Sequence, residues 1–112
     1  TKERRKEMKN EVFTTTVLEA FRRSLDILSK KEKEYSDGKD RLIQFKKTAV
    51  MESRQPTETL FSMADKHITS IADMVKDPMN YTLKQWRAKL DDLRNYTFLL
   101  DALITEMKEE QE

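Results

Sequence analysis

Cysteine is absent from this 112-residue chain, histidine and glycine each occur once, and proline occurs twice. Without cysteine there is no disulfide framework, no thiolate metal site and no cysteine nucleophile. With one histidine besides, a structural zinc site within one chain lacks its usual ligands. A single glycine excludes a glycine-rich phosphate loop, and no serine sits in a nucleophile-elbow setting. So few turn formers argue against a β-sandwich or barrel. No apolar run approaches the roughly 18–20 residues of a membrane span, and no signal peptide is expected at the start. These absences predict a soluble, cytoplasmic, mostly helical protein with no membrane contact.

What is present in quantity is charge. Lys and Arg total 22 and Asp and Glu total 21, for a formal net charge of +1; 38% of residues are charged and 37% hydrophobic. Typical globular domains average about 25% charged and 45–50% apolar. The imbalance predicts a thin core, an extended helical shape, or a subunit that completes its core against a copy of itself. The length suits one domain.

Residues 1–12 read as a solvated, charged lead-in and residues 13–112 as a single helical domain. Val17, Phe21, Leu25 and Leu28 form a stripe at helical spacing, with Leu18 beside it, and Asp37-Gly38 ends this first helix. Asp40 is placed to cap a shorter second helix carrying Leu42, Phe45 and Ala49. After Pro56, a third helix runs from about Thr57 to Lys76, with Leu60, Ala64, His67, Ile71 and Met74 on one face, and Asp77-Pro78 stops it. Thr82-Leu83-Lys84-Gln85 fits a capping box for a long fourth helix. There Leu83, Trp86, Leu90, Leu93, Thr97, Leu100, Ile104 and Met107 repeat at alternating steps of three and four, a coiled-coil-like seam. The expected fold is an all-α, four-helix arrangement with a long C-terminal helix, forming a homo-oligomer because that helix shows more apolar face than one short chain covers.

Carboxylates at one-turn spacing occur at Asp37/Asp40, Asp73/Asp77 and Glu106/Glu109, and each pair also reads as solvated acids or caps. His67 lies on an apolar helix face, which suits either a satisfied core histidine or, beside Lys66, Thr69 and Ser70, the edge of a pocket for an anion or a flat polar ligand. Lys39, Arg41, Lys46 and Lys47 form a basic cluster with Tyr35 and Phe45 interleaved. A net charge of +1 argues against nucleic acid and favours a compact phosphate ligand. Trp86 and Tyr96 read first as core or interface aromatics. The chain ends carry opposite charge, five Lys/Arg against three Glu over residues 1–11 and one Lys against four Glu over residues 106–112. That asymmetry favours antiparallel or head-to-tail association, or belongs to solvated ends that never meet.

An ordered set of strings carries a resemblance: Lys33-Glu34-Tyr35, Asp40-Arg41-Leu42 with Phe45-Lys46, Lys66-His67 with Ser70-Ile71 and Asp73-Met74, then Trp86, Lys89, Asp92 and Asn95-Tyr96. Over roughly residues 13–108 this resembles small proteins encoded by bacteriophages and prophages. More distantly it is similar to the all-α nucleoside-triphosphate pyrophosphohydrolases of the MazG and dimeric dUTPase type. That family builds a Mg²⁺ site from acidic pairs on two helices. Asp92 and Asn95 resemble the second pair, but Lys66 and His67 stand where the first would concentrate negative charge, which leaves the metal poorly held.

The resemblance implies a phage-type protein that binds, and sequesters, a nucleotide or nucleotide-like signal without hydrolysis, acting against host defence in the host cytoplasm. The ligand-binding residues expected are Tyr35, stacking on a base; Arg41, Lys46 and Lys66, holding phosphate; and His67 and Asn95, making directional hydrogen bonds. No catalytic residue and no cofactor is expected on this reading. The alternatives are a Mg²⁺-dependent MazG-like pyrophosphohydrolase using Asp73 and Asp92, or an inhibitor module that docks on a host protein.

Overall fold

Helix-forming residues fill most of the chain, and the few breakers sit where the helices stop. The computed structural model describes residues 7–35 and 38–111, with the side chain of Tyr35 outside the described set. It contains four α-helices, α1 (Asn10–Tyr35), α2 (Ile43–Glu52), α3 (Pro56–Met74) and α4 (Leu83–Gln111), plus one 3₁₀ turn at Pro78–Asn80 before α4. No strand occurs among the described residues. Helix α1 begins at Asn10, inside the stretch read as lead-in; residues 1–6 of that stretch, and Asp37 of the expected Asp37-Gly38 stop, lie outside the described residues.

Local chemistry accounts for the boundaries. Gly38 takes a positive φ of 84°, the left-handed geometry glycine adopts at no steric cost. The Asp40 carboxylate accepts from the Leu42 amide at 2.9 Å and so closes the turn into α2. Ser53 ends α2 in the left-handed region (φ 55°, ψ 45°), where its amide and that of Arg54 return to the Val50 and Ala49 carbonyls. Pro56 opens α3 at the position where its missing N–H costs nothing. The Gln55 amide donates to the Glu58 side chain at 2.8 Å. At α4 the expected capping box is present: the Thr82 amide donates to Gln85 Oε1 at 2.8 Å, and the Gln85 amide to Thr82 Oγ1 at 3.1 Å.

Helices α3 and α4 make the main packing unit, α2 covers α3, and α1 leans mainly on α4 over a short stretch. The apolar centre is small: Leu42, Leu60 and Leu103 are buried together, with Phe45, Tyr96, Leu99 and Leu100 around them. On α4 the buried positions are Asp91, Asn95 and Leu103, a line at four-residue spacing that Leu99 continues. The heptad line expected as a seam lies off it, and Leu83, Leu90, Ile104 and Met107 remain at the surface. Four-residue ridges suit an inclined helix crossing, whereas a sustained heptad suits a supercoil. No helix is long and apolar enough to cross a membrane among the described residues.

Leu103, 2% exposed, anchors the centre from α4. Leu103→Ala is expected to cost about 2–4 kcal/mol in urea unfolding. Met51→Ala, at a side chain 86% exposed, is expected to stay within about 0.5 kcal/mol of the parent.

Candidate functional site

Among the described residues the one buried charged side chain is a carboxylate. Asp91 on α4, its side chain only 7% exposed, accepts from Arg23 Nε of α1 at 2.8 Å and from Arg23 Nη2 at 3.2 Å. Arg94, one turn on, adds Nη1 at 2.6 Å. Burial works to raise the Asp91 pKa, but the hydrogen bonds and charges of the two guanidinium groups outweigh it and hold the carboxyl below its ordinary value. The bidentate fork fixes α1 against α4 in one register. Phe21 meets Phe98 edge-on at 5.8 Å nearby.

Where the four helices approach one another they leave a cleft of about 520 Å³. Helix α1 contributes Lys31, and the start and body of α2 contribute Arg41, Gln44 and Thr48; α3 presents Met63 and His67, and α4 presents Asp92, Asn95 and Tyr96. The size is that of a small-molecule site. Two other concavities are shallower surface grooves, one near Arg23 and Arg87 and one along the acidic end of α4.

Three polar atoms are buried without a hydrogen-bond partner among the described residues: Ser24 Oγ, His67 Nδ1 and Asn95 Oδ1. Two of them belong to cleft residues. Buried polar groups are nearly always satisfied, so unpaired ones beside a cavity mark a place where something else donates or accepts. His67 stacks on Tyr96, ring centroids 5.4 Å apart and planes 28° off parallel. Its Nδ1 stands 3.6 Å from Asp92 Oδ2, too far for a hydrogen bond but close enough for electrostatic contact. The α3–α4 wall is thus aromatic and rich in acceptors, while the α1–α2 wall carries cations.

The expected ligand residues divide between this cleft and the outside. Arg41, His67 and Asn95 come together in it. Arg41 is steadied by a bond from Nη2 to the Leu28 carbonyl at 3.1 Å. Lys46 does not line it; its ammonium lies 2.6 Å from Asp40 and 2.8 Å from Glu106, which ties α2 to α4. Asp40 first, then Glu106, raise the Lys46 pKa above the ordinary lysine value. Lys66 is exposed on α3 and also lies outside the cleft lining. The Tyr35 side chain lies outside the described residues.

The acidic residues considered for Mg²⁺ are not gathered. Asp92 is the one carboxylate lining the cleft, whereas Asp73 is exposed near the end of α3 with Lys76 at 3.9 Å. No group of three or more His, Asp or Glu close enough to hold a metal ion exists among the described residues. A hard divalent cation takes six or more oxygen ligands, so this donor set does not fit one.

Sequence reasoning passed over Asp91, Ser24 and the Gln44–Thr48 edge of α2. Asp91 stands next to Asp92 in the sequence, and a signal for its pairing lies in Arg94, three residues on, which shares its helix face. No family model, no curated protein and no solved structure matches the chain.

Because the folded Asp91 pKa is depressed, its contribution to stability is complete above the unfolded value of about 3.9 and is lost as pH falls through the lower folded value. Asp91→Asn is expected to cost about 1–3 kcal/mol at pH 7. Its unfolding free energy should also fall less steeply than the parent's below about pH 4. Urea titrations of both proteins at pH 7, 4 and 3 check this.

Proposed function

We propose that this protein binds a nucleotide or nucleotide-like phosphate-bearing molecule in the four-helix cleft and holds it without hydrolysis. The observation that carries this reading is that a single concavity joins the stacked His67–Tyr96 pair and the buried, unpaired Asn95 Oδ1 to the Arg41 guanidinium. Asn95 Oδ1 and the Asp92 carboxylate accept hydrogen bonds, which suits the donor-bearing edge of a planar base. His67 and Tyr96 offer an aromatic surface against which such a ring lies. Arg41, fixed by Leu28, presents a guanidinium fork to phosphate, with Lys31 as a second cation on the same wall. The stacking role expected of Tyr35 passes in this reading to His67 and Tyr96, and Lys46 and Lys66 take no part. A cleft with one carboxylate supports retention of the phosphate over its metal-assisted cleavage. Joined to the resemblance to phage-encoded proteins, such a site suits sequestration of a signalling nucleotide.

Titration calorimetry with mono-, tri- and cyclic nucleotides tests the reading. One ligand class is expected to bind with a defined stoichiometry. Arg41→Ala and Asn95→Ala should each weaken binding about 10- to 100-fold, with helicity by circular dichroism unchanged. Indifference to the whole panel refutes it. Pyrophosphate release from an added triphosphate that needs Mg²⁺ and disappears in Asp92→Asn replaces it with the hydrolase reading.

A further inference from the structure

Two aspartates stand side by side on α4 and are used differently. Asp91 is taken up by Arg23 and Arg94. Asp92, its side chain 48% exposed, lines the cleft and is held in no such fork. His67 Nδ1 lies 3.6 Å from its Oδ2, beyond a hydrogen bond. Three residues on, Asn95 is only 7% exposed and presents Oδ1 to the same cleft without a partner among the described residues. Residues three apart on a helix are neighbours, with about 5–6 Å between Cβ atoms. Two carboxylate oxygens and one amide oxygen therefore stand close together on one wall.

A carboxylate accepts hydrogen bonds and donates none, so it selects what faces it. Adenine and cytosine each set an N–H beside a ring-nitrogen lone pair, and uracil flanks its N–H with two carbonyls. Each of these edges brings an acceptor against the carboxylate, and an acceptor facing an acceptor is a penalty that rejects the wrong ligand. Guanine alone among the common bases presents N–H donors side by side, one on N1 and two on N2. That makes three hydrogens for three oxygens. Its O6 and N7 accept instead. Gln44 and Thr48, which line the cleft from α2, are able to donate to them, and Arg41 remains for phosphate.

We propose that the cleft selects a guanine base, with the Asp92 carboxylate accepting from N1–H and one N2–H, and Asn95 Oδ1 accepting from the other. This rests on the cleft being a nucleotide site and adds which base it takes. Asp92 is then the specificity-determining residue, and its neighbour Asp91 is the structural one.

Calorimetry in EDTA tests this with guanosine, adenosine, cytidine, uridine, inosine and xanthosine 5′-triphosphates, the chelator removing any metal that would assist hydrolysis. Guanosine triphosphate is expected to bind about 100-fold more tightly than adenosine, cytidine or uridine triphosphate. Inosine triphosphate, which lacks the 2-amino group, should fall about tenfold below guanosine. Asp92→Asn turns one acceptor into a donor. It should weaken guanosine triphosphate by about 10- to 100-fold and admit xanthosine triphosphate, whose carbonyl at position 2 accepts from the new amide, so that the order of the two reverses. With the side chain half exposed, its urea midpoint should match the parent's. An Asp92→Asn protein that loses guanosine and adenosine triphosphates alike, without gaining xanthosine, overturns the proposal. So does a wild type with equal affinity for all six or a preference for adenosine, cytidine or uridine, and in these cases the nucleotide reading of the cleft stands. Indifference to all six overturns it as well, together with the wider reading if mono- and cyclic nucleotides are ignored too.

Discussion

The attachment of α1 depends on a single carboxylate. Its large apolar side chains mostly face away from the rest of the chain, and beside the buried Ala20 and Ser24 and the Phe21–Phe98 ring contact, its directional hold on α4 is the Arg23–Asp91 fork. A buried ion pair is weak as a source of net stability, because desolvation offsets most of the attraction. It is strong as a source of register, since a planar fork tolerates little sliding or rotation. Asp91 therefore decides where α1 lies more than how firmly the chain folds. With that position set, Leu28 is where its carbonyl can accept from Arg41, and Lys31 reaches the edge of the cleft.

The cleft follows from the way α4 spends its buried side. Two of its innermost positions are polar, Asp91 and Asn95, and only lower down does Leu103 join the apolar centre with Leu42 and Leu60. Leucine at position 95 would have the same branching and nearly the same shape, but no polar atoms. The amide there instead places an unpaired oxygen at the cleft, which His67, whose Nδ1 is unpaired as well, also lines. Polar residues without partners cost stability where they stand. Two of them beside one cavity fit a site whose partners arrive with a ligand.

Helix positions were largely legible because their ends carry specific chemistry: Asp40 before α2, Pro56 at the start of α3, and the Thr82–Gln85 box before α4. The start of α1 was not, since its first turn, Asn10 to Val12, lacks the apolar periodicity that marks the helix from Phe13 on. The side that α4 buries was also hidden. Its leucine-rich heptad line is the stronger hydrophobic signal, yet the buried line passes through Asp91 and Asn95, chosen by ion pairing across 68 residues that no local pattern encodes. Of the site residues, Arg41, His67 and Asn95 were readable from residue type and setting. Lys46 resembled them in sequence, but its two carboxylate partners, Asp40 and Glu106, are visible only in three dimensions.

The two walls of the cleft are unequal in how they are held. The α3–α4 wall belongs to the best-packed pair of helices, whereas the α1 wall makes fewer contacts, chiefly an ion pair, a ring contact and the Leu28–Arg41 bond. A molecule bridging Arg41 and Lys31 to Asn95 and His67 would act as a second fastener for α1, and any ligand that favours the closed arrangement stabilises it by mass action. Amide hydrogen exchange in α1 would then slow when the cleft fills, while the α3–α4 pair, already at the protected end of the range, would register little change. Occupancy of a small-molecule site would thereby be written into the rigidity of the helix that, among the described residues, carries more exposed large apolar side chains than any other.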